Sequence, residues 1–344
     1  MPRVKTRAKA RMKAAVKRAL QKLAFGKAAL LKAKGFPSRF LDEGREIPLL
    51  HLSADQRKEL PRVEGNPDGI LHYLNFSVVY HRRRRIPFYV VYAIDGLARR
   101  SVERAGGFRL DPRLDKNLQL DGRFYDLEKR FTEFEIGHMA ANNEMAWGDQ
   151  AQVQSYQTFH FPNSVPQAER LNSGLWQQLE KYVIQETGEV DGKRICVFTG
   201  PVMKEEDPPY LREPSFRMPL AFFKVILYRR NGGIRAVGFM MSHKRRLIEE
   251  GIIAEPPAPR TRSATPGGPF EDYPHREVFQ VDIDLIERES GISFQFDQVK
   301  RITVPGGQNR LNKIEAVSGS EGVPRGVRSR SVESTDPGRL NVIL

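Results

Sequence analysis

The stretch that decides the reading runs E-I-G-H (Glu135 to His138), then F-P-N-S-V-P-Q (Phe161 to Gln167), then L-N-S-G-L-W-Q-Q-L-E (Leu171 to Glu180). It places one histidine, two asparagines and one glutamate in a fixed order, punctuated by Pro166, Gln167, Gly174 and Trp176. A neutral imidazole, with an ordinary pKa near 6.5, suits proton abstraction at neutral pH. Hard divalent cations such as magnesium take oxygen ligands and keep several waters, so one amide oxygen can suffice as a protein ligand. Glu180 lies eight positions beyond Asn172, about 80° around a helix axis and on the same broad side. Taken singly, each residue has a plainer reading: a packed histidine, an asparagine in a turn or cap, a glutamate on a solvated helix face. The combination is what carries the chemistry.

The three pieces resemble the active-site stretch of the DNA/RNA non-specific endonucleases, the ββα-metal (His-Me finger) nucleases to which endonuclease G belongs. That family reads D-R-G-H, N-x-[ST]-P-Q and N-x-G-x-W-x-x-L-E. The resemblance implies an α+β fold with a central antiparallel sheet flanked by helices. It implies His138 as general base, Asn172 as ligand of Mg2+ (or Mn2+), Glu180 as holder of metal-bound water, and Asn163 as organiser of the site beside the base. Trp176 is expected to pack the metal helix on the sheet, and Gly137 to allow its close approach. Glu135 stands for the family aspartate. Two cations of the pattern are missing: Ile136 replaces the arginine of D-R-G-H, and Gly106 aligns with a second arginine. Arg104 and Arg109 are the neighbouring candidates for phosphate contact. The implied activity is sugar-non-specific hydrolysis of phosphodiester bonds in DNA and RNA. A catalytically impaired relative that only binds nucleic acid is the alternative.

Further elements extend the resemblance over residues 70–298. Tyr73 to Tyr80 and Phe88 to Ile94 read as strands of a hairpin whose tip, H-R-R-R-R-I-P, is basic. That tip is either a phosphate grip or a solvated turn. Arg85, Pro87, Val90 and Tyr92 fit the family's early strand, and Gly107 to Leu114 its F-[KR]-x-D-P element. Arg194 to Pro201 and Phe222 to Tyr228 are continuous apolar runs of the buried-strand type. Ala236 to Met241 suits the next strand, and Phe279 to Gly291 the closing helix. Residues 254–275 are Pro-, Thr-, Ser- and Gly-rich and are expected to form a loop.

The chain has 344 residues and a net charge of +14, and twelve Lys or Arg fall in residues 1–34 with no acid among them. The rest of the chain carries only +2. The basicity is therefore an N-terminal arm (residues 1–35) that attracts polyanions without reading sequence. Val16, Leu20, Leu23 and Leu31 recur at helical spacing and predict a basic amphipathic helix. It is expected to contact nucleic acid, to pack on the body, or to pair with a second subunit in a homodimer. Residues 36–69 read as an irregular lead-in, 70–298 as the nuclease domain, and 299–344 as an extension disordered from about Ser318. No apolar run reaches the roughly 20 residues of a membrane span. Cys196 is the single cysteine, so no internal disulfide can form. A bacterial cytoplasmic location is expected, with a mitochondrial one as alternative, since the arm is basic and acid-free but Lys-heavy and poor in serine.

Overall fold

The computed structural model describes residues 2–125, 135–168, 179, 182, 190–255, 277–305, 311–314 and 342–344. The apolar runs form one large sheet of nine strands. Eight lie in the order β1 (Ile70–Tyr73), β2 (Phe76–His81), β3 (Ile86–Asp95), β6 (Val190–Val202), β9 (Ala221–Arg230), β10 (Gly233–Ser242), β11 (Val278–Val281) and β13 (Asn312–Lys313). These pairs are antiparallel; β12 (Val299–Arg301) joins β10 in parallel. A separate antiparallel pair is formed by β4 (Glu135–His138) and β5 (Ser164–Gln167), and a small one by β7 (Pro209–Tyr210) and β8 (Glu213–Arg217).

The central strands are buried on both faces, and the pleat divides their side chains by parity. Val90, Tyr92, Ile94, Phe222, Ile226 and Tyr228 face the layer that contains Tyr125, Phe161, Val165 and Ala168. Tyr89, Val91, Ala93, Phe223, Val225 and Leu227 face the other layer, closed by helix Ile283–Ser290. That helix stops where Gly291 takes the left-handed conformation, φ 66°. The β4–β5 pair thus lies on one face of the sheet and the closing helix on the other.

The expected strand Tyr73 to Tyr80 is broken. Asn75 sits at φ 64°, a left-handed position asparagine tolerates, and the chain turns there so that β1 pairs back on β2. The basic tip beyond β2 is a turn that is part solvated and part tied down: Arg82 and Arg83 are exposed, Arg84 and Arg85 half-buried. Arg82 and Arg83 reach Glu59 at 3.5 and 2.8 Å, Arg84 pairs with Asp207, and Arg85 with Glu213. Each arginine is committed to a carboxylate distant in sequence.

The arm is a helix, α1 (Pro2–Phe25), followed by a short α2 (Lys27–Leu30). Its last turns are part of the folded body. Ala24 is fully buried and, with Leu20 and Phe25, packs on Val153 and Tyr156 of helix Ala151–Gln157 and on Phe159. Of the expected stripe, Leu20 is therefore used internally, while Val16, Leu23 and Leu31 remain exposed. The Arg113 guanidinium fixes the end of α2 by donating to Leu30 O at 3.0 Å and His72 O at 2.7 Å. The lead-in is likewise integrated: Phe36, Leu41, Ile47, Leu50 and Leu52 are buried against the sheet. The sheet also runs past residue 298, through β12 and β13. The last three residues return to it, where Gln280 exchanges two hydrogen bonds with the Ile343 backbone at 2.8 and 2.9 Å. The remaining residues of the expected disordered tail, and nearly all of the 254–275 loop, lie outside the described residues.

Candidate active site

β4 is the short strand E-I-G-H, and its register against β5 puts Gly137 opposite Val165 and His138 opposite Ser164. Gly137 is required by a side chain of that neighbouring strand. A Cβ at this position would lie 2.0 Å from Gln167 Oε1 and 2.1 Å from its Cδ, so only glycine leaves room for Gln167. The expected approach is to the metal helix, whose site residues lie outside the described residues; the group that fills the space at Gly137 is the glutamine of the P-Q pair. Gln167 is 1% exposed, and neither of its amide atoms has a hydrogen-bond partner among the described residues. A buried amide without a partner is costly and marks a place where water or an ion is wanted.

His138 ends β4 and is buried in an aromatic box. The Phe108 ring is 4.6 Å from the imidazole and the Phe159 ring 4.7 Å, edge to face. Desolvation in this box, with a smaller push from the Arg104 cation, lowers the His138 pKa to about 3. The imidazole is therefore neutral, as a proton acceptor must be, although the same burial makes it a weaker base than a free histidine. Neither phenylalanine stood out in the sequence, because aromatic residues in such segments are ordinarily core. Phe108 belongs to the F-[KR]-x-D-P element and Phe159 to the turn before Asn163.

Asn163 is fully buried in the single turn Phe161–Asn163. Its Oδ1 accepts from Ala140 N at 3.0 Å, and its Nδ2 donates to Ala140 O and Thr158 O, both at 2.9 Å. Its own carbonyl accepts from Met139 N at 2.9 Å. These bonds clamp the chain that leaves His138. Both amide hydrogens are engaged by backbone, so the geometry favours holding the base over touching a water.

The F-[KR]-x-D-P element supports the same region from below. Asp111 accepts from Tyr73 Oη at 2.6 Å and from Arg113 Nη2 at 2.8 Å. Burial alone would raise the Asp111 carboxyl, but the hydrogen bond and charge of the Arg113 guanidinium, with help from the tyrosine hydroxyl, hold it below its ordinary value. Arg109 and Arg104, both exposed, differ in placement. The Arg109 guanidinium stands 5.8 Å above the Phe25 ring and donates to the Phe108 carbonyl. Arg104 stands 5.4 Å above Phe159 and acts on the charge of His138. Of the two, Arg104 is the one coupled to His138. Gly106 has φ 89°, where an arginine would be strained. Ile136 is part-buried and packs on the core, and Glu135 is exposed at the strand start.

Asn172, Trp176 and Glu180 lie outside the described residues. From that segment Leu179 and Tyr182 are helical and buried in the core layer over the sheet. The entry into it is fixed by His243, whose Nδ1 accepts from Ala168 N at 3.3 Å and whose Nε2 donates to Pro219 O at 2.7 Å. A further residue escaped the sequence reading. Lys224 is 3% exposed in β9, with the parity of Phe222 and Ile226, so it points to the face that carries β4–β5. Its signal was a charge inside F-F-K-V-I-L-Y, where buried lysine is rare.

The family model of the DNA/RNA non-specific endonucleases matches residues 60–301. The chain belongs to this family. Endonuclease G, mitochondrial, of Homo sapiens is 26% identical over 194 residues, 54% of this chain and 56% of that protein. The Bos taurus protein of the same name is 26% identical over 190 residues, 52% and 54% of the two chains. Nuclease EXOG, mitochondrial, of Danio rerio is 24% identical over 234 residues, 64% and 59%. The matched region thus spans little more than half the length of these relatives. A chain in the crystal structure of an EndoG/EndoGI complex superposes with a TM-score of 0.48 at 21% identity, covering 68% of this chain and 89% of that one.

Proposed function

We propose that this protein is a divalent-metal-dependent endonuclease that hydrolyses phosphodiester bonds in DNA and RNA without selecting the sugar. The observation that carries this reading is the neutral, aromatic-boxed His138 at the end of β4, held by the Asn163 clamp within the family's motif. A water gives its proton to the His138 imidazole while its oxygen bonds phosphorus; the P–O bond to the leaving oxygen breaks, and that oxygen takes a proton from solvent. Phe108 and Phe159 keep the imidazole unprotonated and fix its plane. Arg104 presents a cation to the phosphate from the loop before Gly106. The orphaned amide of Gln167, beside the strand that bears the base, fits a site needing a hard oxygen-binding ion or its water. Asn172 would hold the ion, with Glu180 on its water, and the ion would neutralise charge on the pentacoordinate phosphate.

Ile136 and Gly106, standing where the family has arginines, favour a second reading in which the chain binds nucleic acid and cleaves poorly. Incubating the purified protein with plasmid and RNA, in Mg2+ or in EDTA, separates the two. His138→Ala should lose about 10²–10⁴-fold in turnover with binding retained. Near-parental turnover in that variant would eliminate His138 as base. The mitochondrial names of the relatives support the mitochondrial alternative for location, and a bacterial cytoplasmic one draws no such support.

A further inference from the structure

Helix α1 has two faces, and the body uses one. Leu20, Ala24 and Phe25 dock, and Lys17 on the same side reaches Glu103 at 3.7 Å. On a separate line of the helix, Met12, Val16, Ala19 and Leu23 follow one another at spacings of four, three and four residues, which is a single face. This row is open to solvent: Met12 is 66% exposed, and Val16 and Leu23 are 54% each. Beside it runs a cationic row, Arg11, Arg18 and Lys22, all exposed and without an ion pair among the described residues. Because the opposite face is docked, the apolar row and its cations are presented outward and cannot fold back on the body.

We infer that α1 is a peripheral membrane anchor that lays the Met12–Val16–Ala19–Leu23 row into the surface of an anionic lipid bilayer. Charge and apolarity together select this occupant. Lipid phosphates meet the cationic row while the acyl boundary takes up the apolar one, the arrangement by which basic amphipathic helices bind interfaces. A nucleic acid would satisfy the cations alone, since phosphate and sugar gain nothing from a row of methionine, valine and leucine. A second copy of the helix would bring like charges alongside each other. No described helix is long and apolar enough to cross a membrane, so the contact is with one leaflet. The inference stands independently of the hydrolytic reading, because the surface is remote in sequence from the 135–180 motif.

The test is flotation of the full chain with vesicles of phosphatidylcholine, with and without phosphatidylglycerol. The parent should float with the anionic vesicles and stay behind with the neutral ones. Val16→Ser combined with Leu23→Ser should weaken vesicle binding at least about tenfold and leave affinity for a DNA duplex unchanged. Arg18→Gln combined with Lys22→Gln should weaken vesicle binding as well. All four positions are exposed, so melting temperature should be that of the parent in each variant. Failure of the parent to float with anionic vesicles overturns the inference, as does unchanged flotation of the serine variant. Loss of duplex binding in the serine variant would assign the row to nucleic acid, and loss of a dimer by light scattering would assign it to a second copy; either also overturns it.

Discussion

Asn163→Ala is the most direct probe of how the base is held. The substitution removes three hydrogen bonds at a fully buried site and leaves Ala140 N, Ala140 O and Thr158 O without the side-chain partner each now has. At about 1 kcal/mol for each net bond, rising where the orphaned group cannot reach water, the loss should be about 3–4 kcal/mol of folding stability. For a chain of this size that lowers Tm by about 4–6 °C. The same change frees the segment from Met139 onward, so turnover should fall through loss of the placement of His138. Urea unfolding and plasmid cleavage, measured on the same preparation, give the two numbers. A residue whose only task were to order a catalytic water would lose turnover with stability intact. Unfolding within 1 kcal/mol of the parent, together with lost cleavage, would therefore refute the clamp and return Asn163 to direct chemistry.

Three further outcomes follow from the geometry. His138 titrates near 3 when folded against about 6.5 when unfolded, so its contribution is complete above 6.5 and drains away as pH falls toward 3. Between pH 7.5 and 5 it should remove about 2 kcal/mol, a loss that urea unfolding would show shrinking in His138→Leu. Gly137→Ala drives a Cβ into the Gln167 side chain and should reduce both stability and cleavage, whereas Gly137→Ala combined with Gln167→Ala should recover stability, as thermal melts would reveal. Arg104→Ala should lower cleavage more than Arg109→Ala does, since Arg104 alone of the pair acts on His138; equal losses in the rate assay would remove that distinction.

Much of this fold is written in short-range pattern. The buried strands β3, β6, β9 and β10 appear as apolar runs of strand length, and Asn231-Gly232 marks the turn that joins the last two, with both residues at positive φ. The site motif is local too: His138 and Asn163 come together because β4 and β5 pair directly. What escaped reading is long-range. The acids that neutralise the arginine tip, Glu59, Asp207 and Glu213, have no sequence relation to Arg82 to Arg85. The rings around His138 come from the segments 108 and 159, and phenylalanine at such positions gives no sign of what it will enclose. Nor could helical spacing reveal that Leu20 would be consumed by the body while Leu23, three residues on, would stay in water.

The missing arginines make sense in this frame. At position 136 the side chain of β4 is part-buried on the apolar layer, and isoleucine adds to that layer where an arginine would have to find its way out. At position 106 the backbone adopts φ 89°, a conformation glycine takes without strain, and the space around it is open. Both losses therefore accompany local structure that an arginine would disturb. Among the described residues, Arg104, two residues before the glycine turn, is held 5.4 Å over Phe159 and close enough to the buried His138 imidazole to oppose its protonation. A cation placed there does two things at once. It adds to the desolvation that already holds His138 neutral, and on the proposed mechanism it would offer a counter-charge to a phosphodiester. If the charge supply has moved from β4 to the loop that packs on the aromatic wall of His138, the rate penalty of Arg104→Ala measures how completely.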